Sequence, residues 1–326
     1  MITNTLEINI DIFNQLQHTI TGWPGGKPNA DDSQRPERAV PAKKNAIIFS
    51  PHPDDDVISM GGTFIRLADQ GHNVHVAYQT SGNTAVWDDD ALRYIEFAKD
   101  FAKSTGADTG TLESLYTEAR KFIAAKKPNQ IDTEEIRTIK GLIRKGEAIA
   151  GARFAGLPDE NIHFQNLPFY DRSKFSKDVS YEDDIVQTME LLQQVKPHQV
   201  FAAGDFADPH GTHKVCFDII LEALKRLDKT EEWTKDCWLW LYRGAWHEFE
   251  VHEIEMAVPL SPQEVIRKRL AIFKHQSQKD LPVFPGDDAR EFWVRAEDRT
   301  SETARKYDEL GLADYEAIEA FVRWKF

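Results

Sequence analysis

Cysteine is scarce: the 326 residues contain two, Cys216 and Cys237. A disulfide scaffold needs more, and two thiols in a chain this long fit a reducing compartment. Long apolar runs are missing as well. No stretch approaches the roughly 18 apolar residues of a membrane-spanning helix. Met1 to Leu16 lacks the basic segment and apolar run of a signal peptide. Basic residues are outnumbered, 40 against 54 acidic ones, for a net charge of −14. Such a chain repels phosphate backbones at long range, which disfavours nucleic acid as a partner. An anionic small substrate is not excluded, because a local Arg or Lys decides that. The first strand-to-helix turn has no G-x-G-x-x-G, and there is no internal repeat or low-complexity tract. The expectation is a soluble cytoplasmic protein with neither a membrane nor a nucleic-acid partner.

What is present is the composition of a folded chain, 41% hydrophobic and 11% aromatic. Residues 1–44 read as an N-terminal arm and linker. Ile8 to Ile20 suits a short helix, or a strand followed by a turn. Gly22 to Lys44 is rich in Pro, Gly and charge and has no apolar periodicity. This arm, with Trp23, could wrap a neighbouring subunit in a homo-oligomer. Residues 45–326 read as the domain proper.

That domain opens on Ala46-Ile47-Ile48-Phe49, a short apolar run suited to a strand buried on both faces. Val57 to Gln70 reads as a helix closed by Gly71, and Val74 to Tyr78 as the next strand. The alternation continues. Helices are expected at Asp88–Lys103, Thr133–Phe154, Tyr181–Gln194, His213–Leu227 and Pro262–Gln278. Strands are expected at Ile162–Leu167, Val200–Ala203 and Trp238–Tyr242, with an edge strand within Glu250–Val258. This order predicts a three-layer α/β/α sandwich around a mostly parallel, Rossmann-like sheet.

In such sheets ligands bind where loops leave the carboxyl ends of strands. Two of these loops concentrate metal-ligand residue types. The first is Pro51-His52-Pro53-Asp54-Asp55-Asp56; the second runs from Gly204 through Asp205, Asp208 and His210 to His213. Three adjacent carboxylates repel one another unless a cation or solvent screens them. A helix N-terminus contributes about 0.3–1 kcal/mol per favourable charge, so a solvated cap would explain the acidic run but not the histidines of both loops. A His and an Asp from one loop with a His from the other make a ligand set that zinc accepts, with a position left for water. Cys216 is better read as an apolar helix position than as a ligand. His72 and His75 read as structural, and His163 and His247 carry no motif. Tyr242, Arg243 and Trp246 could line a sugar site, and His275 could buttress the active site.

These residues resemble the PIG-L/LmbE-like zinc de-N-acetylases. That family carries (A/P)-H-P-D-D-E after one strand and H-P-D-H, or a relaxed H-x-x-H, after a later one. Here the two stand as Pro51 to Asp56 and His210-Gly211-Thr212-His213. Thr80-Ser81-Gly82 is similar to a T-x-G loop, Arg144 to Ala148 to an R-x-x-E-A helix, and Lys274 to Gln278 to a K-H-x-S-Q segment. The resemblance covers roughly Asn45 to Asp280. It implies Zn2+ bound by His52, Asp55 and His213, Asp54 as general base, and a protonated His210 that stabilises the oxyanion or donates to the leaving amine. Arg144 looks like the family's substrate-binding arginine; a surface pair with Glu147 is its plainer reading. The usual Glu is Asp56 here, and Gly211-Thr212 replaces Pro-Asp, so the carboxylate that orients His210 must come from elsewhere, with Asp205 or Asp208 at hand.

The function implied is removal of the N-acetyl group from an amino sugar, an N-acetylglucosamine derivative. The arm and motif context are similar to a domain fused behind glucosamine-6-phosphate deaminase-like domains in bacteria, which makes the 6-phosphate the first substrate to test. Hydrolysis of another linear amide, or a catalytically silent sugar-binding domain, is the alternative.

Overall fold

The structure is a computed structural model that describes residues 5–29, 35–39, 41–174, 180–206, 208, 211–244, 246–280, 283, 284, 286 and 288–326. Its elements are α1 (Thr5–Thr19), β1 (Asn45–Ser50), α2 (Asp55–Asp69), β2 (Asn73–Tyr78), α3 (Asp88–Ser104), α4 (Gly110–Ala125), α5 (Glu134–Phe154), β3 (Ile162–Phe164), α6 (Phe169–Arg172), α7 (Glu182–Val195), β4 (Gln199–Ala203), α8 (Thr212–Leu227), β5 (Trp238–Tyr242), β6 (Met256–Leu260), α9 (Pro262–Ile272), α10 (Phe292–Glu309) and β7 (Ala317–Trp324).

Seven strands form one sheet in the order β3-β2-β1-β4-β5-β7-β6. The first five pair in parallel, and β7 runs antiparallel to both β5 and β6. The expected α/β/α sandwich is what the chain forms. Strand side chains alternate between two apolar layers, because successive residues point to opposite faces. Ile47 and Phe49, Val200 and Ala202, and Leu239 and Leu241 enter one layer. Ala46 and Ile48, Phe201 and Ala203, and Trp240 and Tyr242 enter the other. Trp238 stacks on Trp240 at 6.4 Å on that second face.

Local signals explain the helix boundaries. Thr133 caps α5, its hydroxyl accepting from Ile136 N, with Glu134 and Glu135 in the first turn and Arg153 in the last. Ser261 and Glu264 form a reciprocal capping box at α9, with Pro262 at the first turn. The helix expected through Gln278 stops at Ile272, and Gln276–Gln278 form a separate 3-10 turn. That turn is held elsewhere: Ser277 N and Oγ each donate to Glu147 at 2.7 Å. Four elements were not expected from the sequence, namely α4, α6, α10 and β7. Helix α1 realises the helical reading of Ile8–Ile20. Beyond it the chain lies on the domain: Thr21 N donates to Ala257 O at 2.8 Å, and Gln199 Nε2 donates to Pro24 O at 2.9 Å. Among the described residues, no helix is long and apolar enough to cross a membrane.

Helix α2, which starts in the acidic loop, is broken at Met60 (φ −133°). The break frees backbone donors within a buried helix, where an unmet N–H is costly. Glu319 of β7 meets them: Gly62 N and Thr63 N donate to its two oxygens at 2.9 and 2.6 Å. Lys268 of α9 neutralises that carboxylate at 2.7 Å, with both side chains buried. A Cβ at Gly62 would lie 2.5 Å from Leu260 Cδ1, so a larger residue there would force the Leu260 side chain to move.

Candidate active site

The chain turns in opposite directions from β1: β2 and β3 lie to one side, β4 and β5 to the other. The carboxyl ends of β1 and β4 therefore flank a topological switch point, where open α/β sheets bind ligands. Both motif-bearing loops leave from these ends.

His52, Asp55 and His213 meet there, with one donor atom from each lying within 4.8 Å of the others. Asp55 Oδ2 is the hub, 3.1 Å from His52 Nδ1 and 3.2 Å from His213 Nε2. Zinc bonds of 2.0–2.1 Å at tetrahedral angles put neighbouring ligand atoms roughly 3.3 Å apart, so the spacing fits. His213 Nδ1 donates to Asp205 O at 2.9 Å. This commits Nδ1 as a donor and makes Nε2 the atom that faces Asp55 and that can ligate a metal once it gives up its proton. The electrostatics point the same way. Burial alone would raise Asp55, yet His213 and His52 hold it well below the usual carboxylate range. Burial opposes charge on His213, yet Asp55 carries it up to about 9. The centre of the cluster favours a positive charge, which either a proton or a divalent ion supplies.

Asp54 precedes α2 with φ 137°, a conformation a non-glycine residue adopts only when its surroundings impose it. Arg144 of α5 imposes it. Its guanidinium pairs with Asp54 Oδ1 at 3.0 Å and donates to Pro53 O. Burial pushes the Asp54 carboxyl well above its ordinary value, Arg144 opposing. Gly82 completes the arrangement: at φ +60° it passes so close that a Cβ would lie 3.1 Å from Pro53 and 3.2 Å from Arg144 Cζ. The T-x-G loop thus needs its glycine for space. The surface Arg144–Glu147 pair is not formed; Arg144 is buried on Asp54, and Glu147 binds Ser277.

Asp56 faces inward. It accepts from Tyr78 Oη at 2.9 Å, and burial raises it to about 6. Asp208 receives Thr212 N at 2.9 Å and His213 N at 3.3 Å, so it caps α8. Asp205 Oδ2 accepts from Trp246 N and His247 N at 2.6 and 2.7 Å, tying the loop after β5 to the loop after β4. His210 lies outside the described residues. Cys216 is a buried helix position in the core, as expected.

A cleft opens over these groups. It is lined by His52, Asp54, Asp55 and His213 and also by Trp246, Phe292 and Gln278. Trp246 packs edge-on against Phe292 at 5.7 Å. Phe292 and Gln278 carried no signal of a cleft in the sequence, although Gln278 ends the K-H-x-S-Q segment.

His275, in the same segment, is fully buried with no partner for either ring nitrogen among the described residues. Burial, with Arg144 adding, depresses it to about 3. Folded His275 therefore stays neutral where the unfolded chain binds a proton. Its contribution to stability is present above the unfolded pKa of about 6.5 and is lost as pH falls below it. A loss of roughly 2 kcal/mol between pH 7 and pH 5 is expected from this residue. Urea unfolding at both pH values should show a smaller loss in His275→Asn than in the unaltered protein; equal losses would count against it.

Comparison with known proteins adds to this geometry. The family model described as GlcNAc-PI de-N-acetylase (PIG-L) matches residues 47–224. A glucosamine-6-phosphate deaminase-like protein of Bacteroides thetaiotaomicron is 54% identical over 320 residues, covering 97% of this chain and 48% of the relative. The chain thus spans about half that relative's length. The diacetylchitobiose deacetylase of Thermococcus kodakarensis is 28% identical over 214 residues, covering 60% of this chain and 73% of the relative. The solved N,N'-diacetylchitobiose deacetylase of Pyrococcus horikoshii shares the fold, with a TM-score of 0.55 at 16% identity over 99% of this chain and 94% of that one.

Proposed function

This chain belongs to the PIG-L family of GlcNAc-PI de-N-acetylases, and on that premise we propose that it is a zinc-dependent hydrolase releasing acetate from an N-acetylglucosamine derivative. The observation that carries the reading is the meeting of His52, Asp55 and His213 at one point beside a buried Asp54. When bound by those three residues, zinc polarises the amide carbonyl and makes water acidic enough to lose a proton near neutral pH. The chain's own groups do the rest. Asp54 takes the proton from the attacking water as the water oxygen bonds to the carbonyl carbon. The carbon–nitrogen bond then breaks, and the amine leaves with a proton from Asp54 or His210. A base raised well above the ordinary carboxylate range suits proton transfer at neutral pH. Arg144 aims Asp54, and it also lines the cleft with an Nε that has no partner among the described residues. A substrate oxygen is the partner we assign to it.

The Thermococcus relative, a diacetylchitobiose deacetylase, and the Bacteroides relative, described as glucosamine-6-phosphate deaminase-like, support N-acetylglucosamine and its 6-phosphate as first substrates. Acetate release from both should be abolished by a chelator and restored by zinc. Release that survives complete metal removal would overturn the mechanism.

A further inference from the structure

Between β2 and α5 the chain makes an excursion that folds back on itself as two helices, α3 and α4. The ends of α3 are set by charge: Asp88, Asp89 and Asp90 occupy its first turn and Lys103 its last, as the helix dipole favours. Its buried residues are Ala91 and Ile95, which join Ala119 of α4 and Ile136 of α5 in a small core apart from the two sheet layers. The opposite face of α3 is aromatic and bare. Phe97 is 66% exposed, Phe101 60% and Tyr94 41%. Phe97 and Phe101 stack on each other at 6.1 Å. Scattered exposed apolar residues need no explanation, but three rings on one helix face form a patch of the kind that meets another surface. Past Tyr94 the apolar surface continues into a hollow that it lines with Leu112, Leu115 and Leu142.

The spacing along this face indicates what it meets. Residues three and four apart are neighbours on one helix face. Tyr94 and Asp100 stand three residues to either side of Phe97, and Arg93 and Phe101 stand four. Lay a second α3 antiparallel across the first, with a two-fold axis at Phe97. Each residue before Phe97 then faces the residue equally far after it in the other copy, as a self-complementary contact requires. Phe97 meets Phe97. Arg93 comes over the Phe101 ring of the other copy, a cation–π arrangement, and Asp100 comes to the Tyr94 hydroxyl. The last two contacts occur twice by symmetry, and no like charges meet among these residues. Arg93 bonds Asp90 at 2.7 Å and Asp100 lies 3.7 Å from Lys99, but the Arg93 and Asp100 side chains are 70% and 66% exposed. Such exposed pairs are worth little and do not hold either side chain back.

We propose that α3 is the surface through which two copies of this chain associate, antiparallel about Phe97. An aromatic side chain offers roughly 150–250 Å² when fully bare, so at these exposures the three give roughly 300 Å² per copy, less than the ~800 Å² per partner of a standard interface. The dimer is therefore one that forms at micromolar concentrations. Its residues are not those of the catalytic cluster, so it stands or falls independently of the deacetylase reading.

Sedimentation equilibrium of the unaltered chain at about 1–100 µM should show association to at least twice the mass of one chain. Phe97→Glu sets two carboxylates face to face at the axis and should halve that mass, with acetate release and the far-UV spectrum unchanged. Cross-linking tests the register, since both native thiols are buried. Phe97→Cys should form a disulfide between copies under mild oxidation. Arg93→Cys alone should not, whereas Arg93→Cys mixed with Phe101→Cys should. A monomer at every concentration, the result for a face covered by a different polypeptide, would overturn the interface. So would an oligomer that Phe97→Glu leaves intact, or cross-linking of Arg93→Cys alone as readily as of Phe97→Cys.

Discussion

Asp54→Asn is expected to lower kcat for deacetylation by about 10²–10⁴-fold, the usual contribution of a positioned general base. Asparagine keeps the size of the side chain and an oxygen that can accept from Arg144. It also tolerates positive φ better than most residues, which matters where φ is 137°. What it cannot do is take a proton. Metal content should stay at that of the unaltered protein, because Asp54 is not among the three grouped donors. Asp55→Ala supplies the contrast: it removes the oxygen shared by His52 and His213, so bound metal and activity should go together. Metal analysis of both variants, beside kcat, separates proton transfer from ion binding. An Asp54→Asn enzyme within a few-fold of normal kcat would falsify the assignment of the base.

The second large effect is on stability. Lys268→Met should lower the free energy of unfolding by about 3–5 kcal/mol, the cost of leaving one member of a buried ion pair without the other. Glu319 would then keep its two backbone donors, Gly62 N and Thr63 N, but lose its counter-charge. Adding Glu319→Gln to Lys268→Met should recover part of that loss, since no uncompensated charge remains and the amide oxygen can still accept. Urea unfolding of the single and double variants gives the coupling directly. A single-variant loss under about 1 kcal/mol would place this pair with surface ion pairs instead.

Much of the scaffold was legible because the signals are local. Ala46 to Phe49 suits a strand covered on both faces, and Gly71 and Thr133 mark helix ends by their own chemistry. The acidic loop was legible by its company, since two histidine-bearing loops at the ends of parallel strands are hard to explain as caps. The grouping of His52, Asp55 and His213 followed from a motif resemblance, and the structure brings the three together. What was not legible depends on contacts between distant segments. Nothing near Arg144 indicates that it turns from Glu147, one helical turn away, to Asp54. Strand β7 was hidden because Glu319 interrupts its apolar pattern, and only Lys268 and the break in α2 explain a buried carboxylate there. Trp246 was a candidate from the sequence, whereas Phe292 reaches the cleft from the first turn of α10, a helix the sequence reading did not include.

The bond from Gly62 N to Glu319 spans 257 residues, and that span bears on the order in which the molecule assembles. The helix that begins with Asp55 has its second half capped by a strand that leaves the ribosome long after the helix does. Until β7 inserts between β5 and β6, the donors of Gly62 and Thr63 have no carboxylate to receive them. A nascent chain can therefore form β1 and β2 early, while the acidic loop acquires its final geometry only at the closing step. Contacts of such long separation are slow to close, so capacity to bind metal should appear late in refolding, after most of the sheet is in place.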